Sequence, residues 1–173
     1  MPSPPPHILF ILGGARSGKS RYAQQRAEQL EGDLVYIATA QAWDDEMTAR
    51  IARHQDDRGP RWATLEAPLA LAAAIDAEGR SGRALLIDCL TLWASNLIFA
   101  ERDAEAETVR LLDALRGAPC PVILVSNEVG LGIVPDNALA RRFRDVAGII
   151  NQAVAAAADE AVFIAAGLPI KLK

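Results

Sequence analysis

The run Gly13-Gly14-Ala15-Arg16-Ser17-Gly18-Lys19-Ser20 constrains this chain more than any other stretch. It fits the pattern G-x-x-x-x-G-K-[ST] and follows the apolar run His7-Ile8-Leu9-Phe10-Ile11-Leu12. A strand that delivers a glycine-rich turn into a helix is the context in which this pattern builds a phosphate site. The glycines let successive backbone N–H groups converge on a β-phosphate, where side chains would obstruct. Lys19 then reaches the β- and γ-phosphates and the Ser20 hydroxyl suits Mg²⁺. The helix that opens at residue 19 turns its positive end toward the anion.

The remainder of the chain agrees with a fold able to present such a loop. Short apolar runs alternate with helical segments, the pattern of a mostly parallel sheet covered by helices on both faces. Strands are predicted at 7–12, 34–38, 84–88, 121–126 and 160–165, with a short further strand at 62–65. The alternating tail Ile170–Lys173 reads as an edge strand returning in a hairpin after Gly167-Leu168-Pro169. Helices are predicted at 19–30, 44–54, 68–78, 102–116 and 137–158, the last with Asp136 as its N-cap behind Pro135. Arg53–Arg61, rich in charge and closed by Gly59-Pro60, reads as the most mobile loop. The expected organisation is one domain over 7–173 behind a disordered proline-rich leader, 1–6, which lacks the basic start of a signal peptide.

Composition narrows the class. A chain of 173 residues that is 51% hydrophobic can bury about two thirds of its unfolded surface in a single domain. The net charge of −4 argues against a nucleic-acid partner or an anionic membrane, which call for a basic face. No run reaches the roughly 20 apolar residues of a membrane span. The two cysteines, Cys89 and Cys120, sit in apolar strand-like surroundings and read as buried free thiols. The expectation is a cytoplasmic protein.

Three further segments could carry chemistry. Leu85-Leu86-Ile87-Asp88 is an apolar strand ending in a carboxylate. Beside a phosphate loop, such an acid holds Mg²⁺ directly or through water, although strands also end in Asp for turn reasons alone. The segment Asp44–His54 places acids in its first turn and Arg and His in its last, which suits a helix dipole without any function. Met47, Ile51 and His54 share a face at helical spacing, so His54 reads either as the polar rim of a core stripe or as a nucleophile. A neutral imidazole can attack an α-phosphorus to form a phosphoramidate, with Arg50, Arg53 and Arg58 nearby to neutralise phosphates or simply to face solvent. Ser126-Asn127-Glu128-Val129-Gly130 leaves a buried strand into a glycine-punctuated loop at the ligand edge of the sheet. There, Asn127 and Glu128 either contact substrate or order the loop. Arg141, Arg142 and Arg144 are expected to pair with Asp136 and Asp145, and Trp43, Trp62 and Trp93 to serve as core or interface anchors.

These residues, taken in order, resemble a known family. GGARSGKS at 13–20, Tyr36-Ile37-Ala38-Thr39-Ala40, DDEM-x-x-RI-x-x-H at 44–54, the strand ending at Asp88 and SNEVG-x-GIVP at 126–135 follow one another. Arg142-Phe143-Arg144-Asp145, Ala147-Gly148, Asn151-Gln152 and Ala155–Glu160 continue the likeness. Together they look like the bifunctional adenosylcobinamide kinase and adenosylcobinamide-phosphate guanylyltransferase of the cobalamin pathway. The resemblance covers essentially all of the chain after the leader.

That resemblance implies an α/β, RecA-like P-loop NTPase fold and two reactions. The aminopropanol hydroxyl of adenosylcobinamide is phosphorylated by ATP or GTP. GTP then donates GMP to a histidine, and the substrate phosphate takes it to give adenosylcobinamide-GDP. Carried over residue by residue, the guanylylated histidine is His54 and the phosphate cradle is Gly13, Gly14, Ala15, Arg16, Ser17, Gly18, Lys19 and Ser20. Lys19 serves catalysis in both steps, and Ser20 and Asp88 hold Mg²⁺. GTP contacts fall on Ala38, Thr39, Ala40, Gln55, Asp56, Asp57, Arg58, Glu66 and Asp88. The family carries Asp or Glu at that last position. The resemblance also implies a homotrimer. A histidine late in a helix must approach the α-phosphate, so the 44–54 helix is expected either to lie over the phosphate loop or to swing there. Two readings compete: a plain small-molecule kinase with a structural His54, and a nucleotide-gated assembly module of the RecA sort.

Overall fold

The computed structural model describes residues 7–41 and 44–173, apart from the side chains of Met47, Arg50 and His54. The 1–6 leader and Trp43 lie outside the described residues. In chain order the elements are β1 (Ile8–Gly13), α1 (Lys19–Glu28), β2 (Asp33–Ala38), α2 (Asp45–Asp56), β3 (Trp62–Glu66), α3 (Leu71–Glu78) and β4 (Arg83–Asp88). They continue as α4 (Leu90–Phe99), α5 (Ala104–Gly117), β5 (Val122–Asn127), α6 (Ala138–Ala157), β6 (Glu160–Ala165) and β7 (Leu168–Lys171). The sheet order is β3-β2-β4-β5-β1-β6-β7. Every pairing is parallel except the closing β6–β7 hairpin.

Alternation along the strands sorts the core into two faces. Phe10, Val35, Ile37, Leu85, Ile87, Val122 and Leu124 pack under residues of α3, α4, α5 and α6. Leu9, Ile11, Leu34, Leu86, Ile123 and Val125 pack against α1, which approaches closely because it presents Ala23 and Ala27. Each fully buried Leu or Ile contributes roughly 1.5–3 kcal/mol. A polar replacement at Ile11 or Ile87, both 0% exposed, would therefore break the layer it sits in.

Helix α4 is absent from the expectations above. Its sequence, Leu90-Thr91-Leu92-Trp93-Ala94-Ser95-Asn96-Leu97-Ile98-Phe99, is apolar nearly all round and continues an apolar strand, so no amphipathic period marks it. Its inner side is buried, with Trp93 1% exposed and its indole N–H donating to the Leu69 carbonyl at 3.0 Å, while Leu92 and Phe99 on the outer side are exposed. Trp62 is half-buried and meets the Tyr36 ring edge-on at 6.4 Å. Both are anchors, as expected.

Three local expectations are corrected. The N-cap of α6 is Asn137 rather than Asp136: its side-chain oxygen accepts from the Ala140 N–H at 2.7 Å. Arg141 and Arg144 do not pair with Asp136 and Asp145. Arg141 donates to the Pro135 carbonyl and Arg144 to those of Gly130 and Gly132, so both brace the loop after β5. The helix predicted at 44–54 runs on to Asp56, and the far end of the charged loop that follows is bonded back to the body of the fold. The Arg61 guanidinium donates to the carbonyls of Glu28, Leu30 and Gly32, closing the loop onto the end of α1. Cys89 and Cys120 are free and buried.

Candidate active site

The loop after β1 is shaped by close approaches that exclude side chains. A Cβ on Gly13 would lie 2.8 Å from the Ile164 carbonyl oxygen, so only glycine fits where β1 turns against β6. Gly18 caps α1 with φ of +94°, a left-handed conformation that glycine adopts without penalty. The β6–β7 turn backs the loop, with the Gly167 N–H donating to the Ser17 carbonyl at 2.7 Å. Lys19 folds across it, its ammonium donating to the Gly14 carbonyl at 3.0 Å. Gly14 and Lys19 are half-buried, and Ala15, Arg16, Gly18 and Ser20 are exposed. The Ser17 hydroxyl is buried within the loop with no hydrogen-bond partner. An orphaned hydroxyl in a cradle of backbone amides is a group that an incoming phosphate oxygen would satisfy.

Strand parity brings other candidates to the same face. Gly13, Asp88 and Asn127 continue the alternation of Ile11, Leu86 and Val125, the residues that pack on α1. Tyr36 follows Leu34 onto that face too. In register, Ala38 lies beside Asp88 on one side and Glu66 on the other. Gly13 lies beside Asn127. The carboxyl edge of the sheet thus gathers the phosphate loop, Asp88, Tyr36, Ala38 and Asn127.

Asp88 is held by a partner that sequence reasoning quoted but gave no role. The Tyr36 hydroxyl donates to Asp88 Oδ2 at 3.0 Å. The Arg58 guanidinium stacks over the Tyr36 ring, 3.5 Å from its centre. Burial foremost, and then the Asp88 charge, push the Tyr36 hydroxyl well above its ordinary value, so it stays a donor. Burial pulls the Arg58 guanidinium down, with Tyr36 and Asp88 pushing the other way. Arg58 follows α2, one helical turn beyond His54. Its contact with Tyr36 therefore docks the His54 end of α2 at the sheet edge that carries Asp88. Gln55, Asp56, Asp57 and Glu66 are exposed around it.

Thr39, an expected nucleotide contact, is 0% exposed and spoken for. Its hydroxyl donates to the Cys89 carbonyl at 2.7 Å and accepts from the Cys89 N–H at 2.9 Å. Its own N–H donates to the Asp88 carbonyl, and its carbonyl accepts from the Asn96 amide. The structure makes it a clip between β2 and the β4–α4 junction. Of that trio Ala38 is buried too, at 6% exposed, and Ala40 alone is half-buried.

A second clip holds the end of β5. The Asn127 N–H donates to the Thr91 hydroxyl at 2.7 Å, and Thr91 and Ser126 share a hydrogen bond of 3.2 Å. The Ser126 hydroxyl gives its one proton to Asn151 Oδ1 at 2.6 Å, so Thr91 must be the donor to Ser126. The Asn151 amide then donates to the Asn127 carbonyl at 3.2 Å. Three side chains, Thr91, Ser126 and Asn151, and the backbone of Asn127 close a ring among α4, β5 and α6.

No group of three or more His, Cys, Asp or Glu side chains able to cage a metal occurs among the described residues. One carboxylate (Asp88) and one hydroxyl (Ser20) beside a phosphate loop is nonetheless an oxygen set that suits Mg²⁺, which keeps its waters and leans on substrate phosphates. A cleft of about 570 Å³ lined by Gln41, Leu69, Leu92, Asn96 and Phe99 contains none of the expected nucleotide contacts. No helix among the described residues is long and apolar enough to cross a membrane.

This topology, with a phosphate loop after β1 and an acid-ended strand two places away in the sheet, defines a P-loop NTPase of the RecA-like type. Solved structures agree on the fold. The RadB recombinase matches 90% of this chain and 73% of its own length at 15% identity and a TM-score of 0.55. An ATPase of the type III secretion system of pathogenic bacteria matches 95% of this chain and 56% of its own at 13% identity and a TM-score of 0.57. Within that class the chain belongs to the cobinamide kinase / cobinamide phosphate guanyltransferase family, whose model matches residues 9–172. It is 50% identical to the bifunctional adenosylcobalamin biosynthesis protein CobP of Pseudomonas aeruginosa, over 95% of this chain and 96% of that protein. It is 44% identical to the bifunctional CobU of Salmonella typhimurium, over 96% and 99%. The family bears out the bifunctional reading over a monofunctional kinase and over a non-enzymatic assembly module.

Proposed function

We propose that this chain phosphorylates the aminopropanol hydroxyl of adenosylcobinamide with ATP or GTP and then caps the product with GMP through His54. The observation that carries the reading is the docking of the His54 end of α2, by Arg58 on Tyr36, at the edge where the phosphate loop and Asp88 meet.

In the kinase step the amides of Gly13–Ser20 hold the β-phosphate and Lys19 leaves its Gly14 contact for the β- and γ-phosphates. In the guanylyl step a neutral His54 nitrogen bonds to the α-phosphorus of GTP, and the bond to the bridging oxygen breaks to release pyrophosphate. An oxygen of adenosylcobinamide phosphate then bonds to that phosphorus, and the P–N bond breaks to free His54. Ala38, Ala40, Gln55, Asp56, Asp57, Arg58, Glu66 and Asp88 surround the nucleotide, with Thr39 positioning its neighbours. Ser20 and Asp88 would hold Mg²⁺, which supplies charge neutralisation on the phosphates.

For His54 to reach the α-phosphorus, α2 closes further over the loop once GTP binds. Equal protease cleavage at Arg53–Arg61 with and without GTP would contradict that closure. The homotrimer has apolar surface to use: Phe99, Leu131, Ile133 and Val134 are all more than two-thirds exposed. Sedimentation of the purified protein tests it. The acidic charge supports no nucleic-acid partner, and the nucleotide substrates and buried free thiols suit the cytoplasm. The decisive assay supplies adenosylcobinamide and GTP labelled at both α- and γ-phosphorus. Label from γ must reach cobinamide phosphate, and label from α must appear first on protein and then on adenosylcobinamide-GDP.

A further inference from the structure

Asn127 has an unexplained side chain at the centre of this edge. Strand β5 lies between β1 and β4 in the sheet, so its last residue sits between the strand of the phosphate loop and the strand of Asp88. Asn127 is paired in register with Gly13 and lies two residues beyond Val125, the partner of Asp88. Parity turns it to the α1 face, the face of the cradle. Its backbone is fixed on both sides, by Thr91 at the N–H and Asn151 at the carbonyl. Yet its side-chain Oδ1 is buried with no hydrogen-bond partner.

A buried acceptor left open is unfavourable, and one on a backbone held on both sides is placed to meet a donor that arrives with the substrate. The chemistry of that donor can be narrowed. Phosphate oxygens are acceptors and would repel an amide oxygen. The hydroxyl of the aminopropanol arm is a donor, and it must stand on the γ-phosphate side to react. The substrate of the second step is a phosphate ester at that position, which has lost this O–H.

We propose that Asn127 is a catalytic residue of the kinase step alone, its Oδ1 accepting the hydrogen bond of the attacking hydroxyl and aiming the oxygen lone pair at the γ-phosphorus. The hydroxyl oxygen bonds to that phosphorus, the bond to the β,γ-bridging oxygen breaks, and the nucleoside diphosphate leaves. An amide holds the hydroxyl proton in place but does not remove it. The proton passes to an oxygen of the transferred phosphoryl group. The inference rests on the bifunctional reading, and the wild-type enzyme assayed for both steps shows separately whether that reading stands.

The test measures the two half-reactions of Asn127→Ala apart: phosphoryl transfer from ATP to adenosylcobinamide, and GMP transfer from GTP to preformed adenosylcobinamide phosphate. The expected result is a kcat for phosphorylation lowered roughly 10–100-fold, the loss of one well-placed hydrogen bond, with KM for ATP unchanged. GMP transfer and covalent labelling should stay within about twofold. Loss of both activities together in a folded variant would overturn the proposal, because the residue would then serve the shared phosphate machinery. No loss in either would also overturn it, leaving Asn127 a loop-ordering residue. A second measurement needs no variant. With a non-hydrolysable ATP analogue bound, wild-type enzyme should hold adenosylcobinamide about 5–10-fold more tightly than an analogue whose arm lacks the hydroxyl. Equal binding would refute the hydrogen bond.

Discussion

The guanidinium of Arg58 lies 3.5 Å from the centre of the Tyr36 ring, and the hydroxyl of that ring donates 3.0 Å to Asp88. A residue one turn past His54, the proposed nucleophile, is thereby stacked on the residue that orients the acid. Arg stacks through a flat, weakly hydrated cation, which a Lys ammonium does not reproduce. Arg58→Lys should lower the rate of covalent GMP labelling at saturating GTP by about tenfold. Tyr36→Phe should keep the stacking but lose the Asp88 hydrogen bond, for a stability loss of about 1 kcal/mol. Wild-type labelling by Arg58→Lys would show that stacking does not position α2.

His54→Ala should abolish acid-labile GMP labelling and transfer while nucleotide binding, followed by a fluorescent GTP analogue, stays near wild type. Lys19→Ala should depress both half-reactions by roughly 10²–10³, since both draw on one phosphate cradle. Label that persists on His54→Ala protein would relocate the nucleophile.

The ring joining Thr91, Ser126, Asn127 and Asn151 is buried and fully paired along its circuit. Breaking it strands several polar groups at once. Thr91→Val and Asn151→Ala should each lower unfolding stability by about 1–3 kcal/mol in urea titrations. The double variant should lose less than the sum, because the second change removes partners already orphaned.

Glu160 and Arg26 tie β6 to α1 through two hydrogen bonds of 2.9 and 3.0 Å. The Arg26 hydrogen bonds hold the Glu160 carboxyl below its ordinary value of 4.5. A depressed folded pKa means that the pair stabilises fully above the unfolded value and loses its contribution as pH falls through the folded one. Glu160→Gln should therefore lower stability by about 1 kcal/mol near neutrality, the pair being partly exposed. The two proteins should converge in acid below the ordinary carboxylate range. A gap that persisted there in thermal melts would assign the effect to packing.

Much of this was legible along the chain. The phosphate loop, the acid-ended strand and the short apolar runs of β1, β2, β4 and β5 are local patterns, read from neighbouring residues alone. Helix α4 was hidden because its exposed side also carries apolar residues, Leu92 and Phe99, and so leaves no clear polar stripe to count. The N-cap moved from Asp136 to Asn137 because both residue types cap equally well, and the residue at which α6 begins, Ala138, selects one. The arginines after the β5 loop sit near acids in sequence, but the fold presents them with carbonyls at better geometry.

The sequence alone determined that a strand would feed an amide cradle, that a parallel sheet would carry it, and that His54 would ride a helix. Tertiary structure decided which side chains share the cradle's face. Tyr36, Asp88 and Asn127 come from three strands separated by some fifty and forty residues, and no short-range pattern links them. Their meeting depends on the order in which the strands enter the sheet and on register. These follow from the burial of two apolar faces at once, a balance that involves the whole chain.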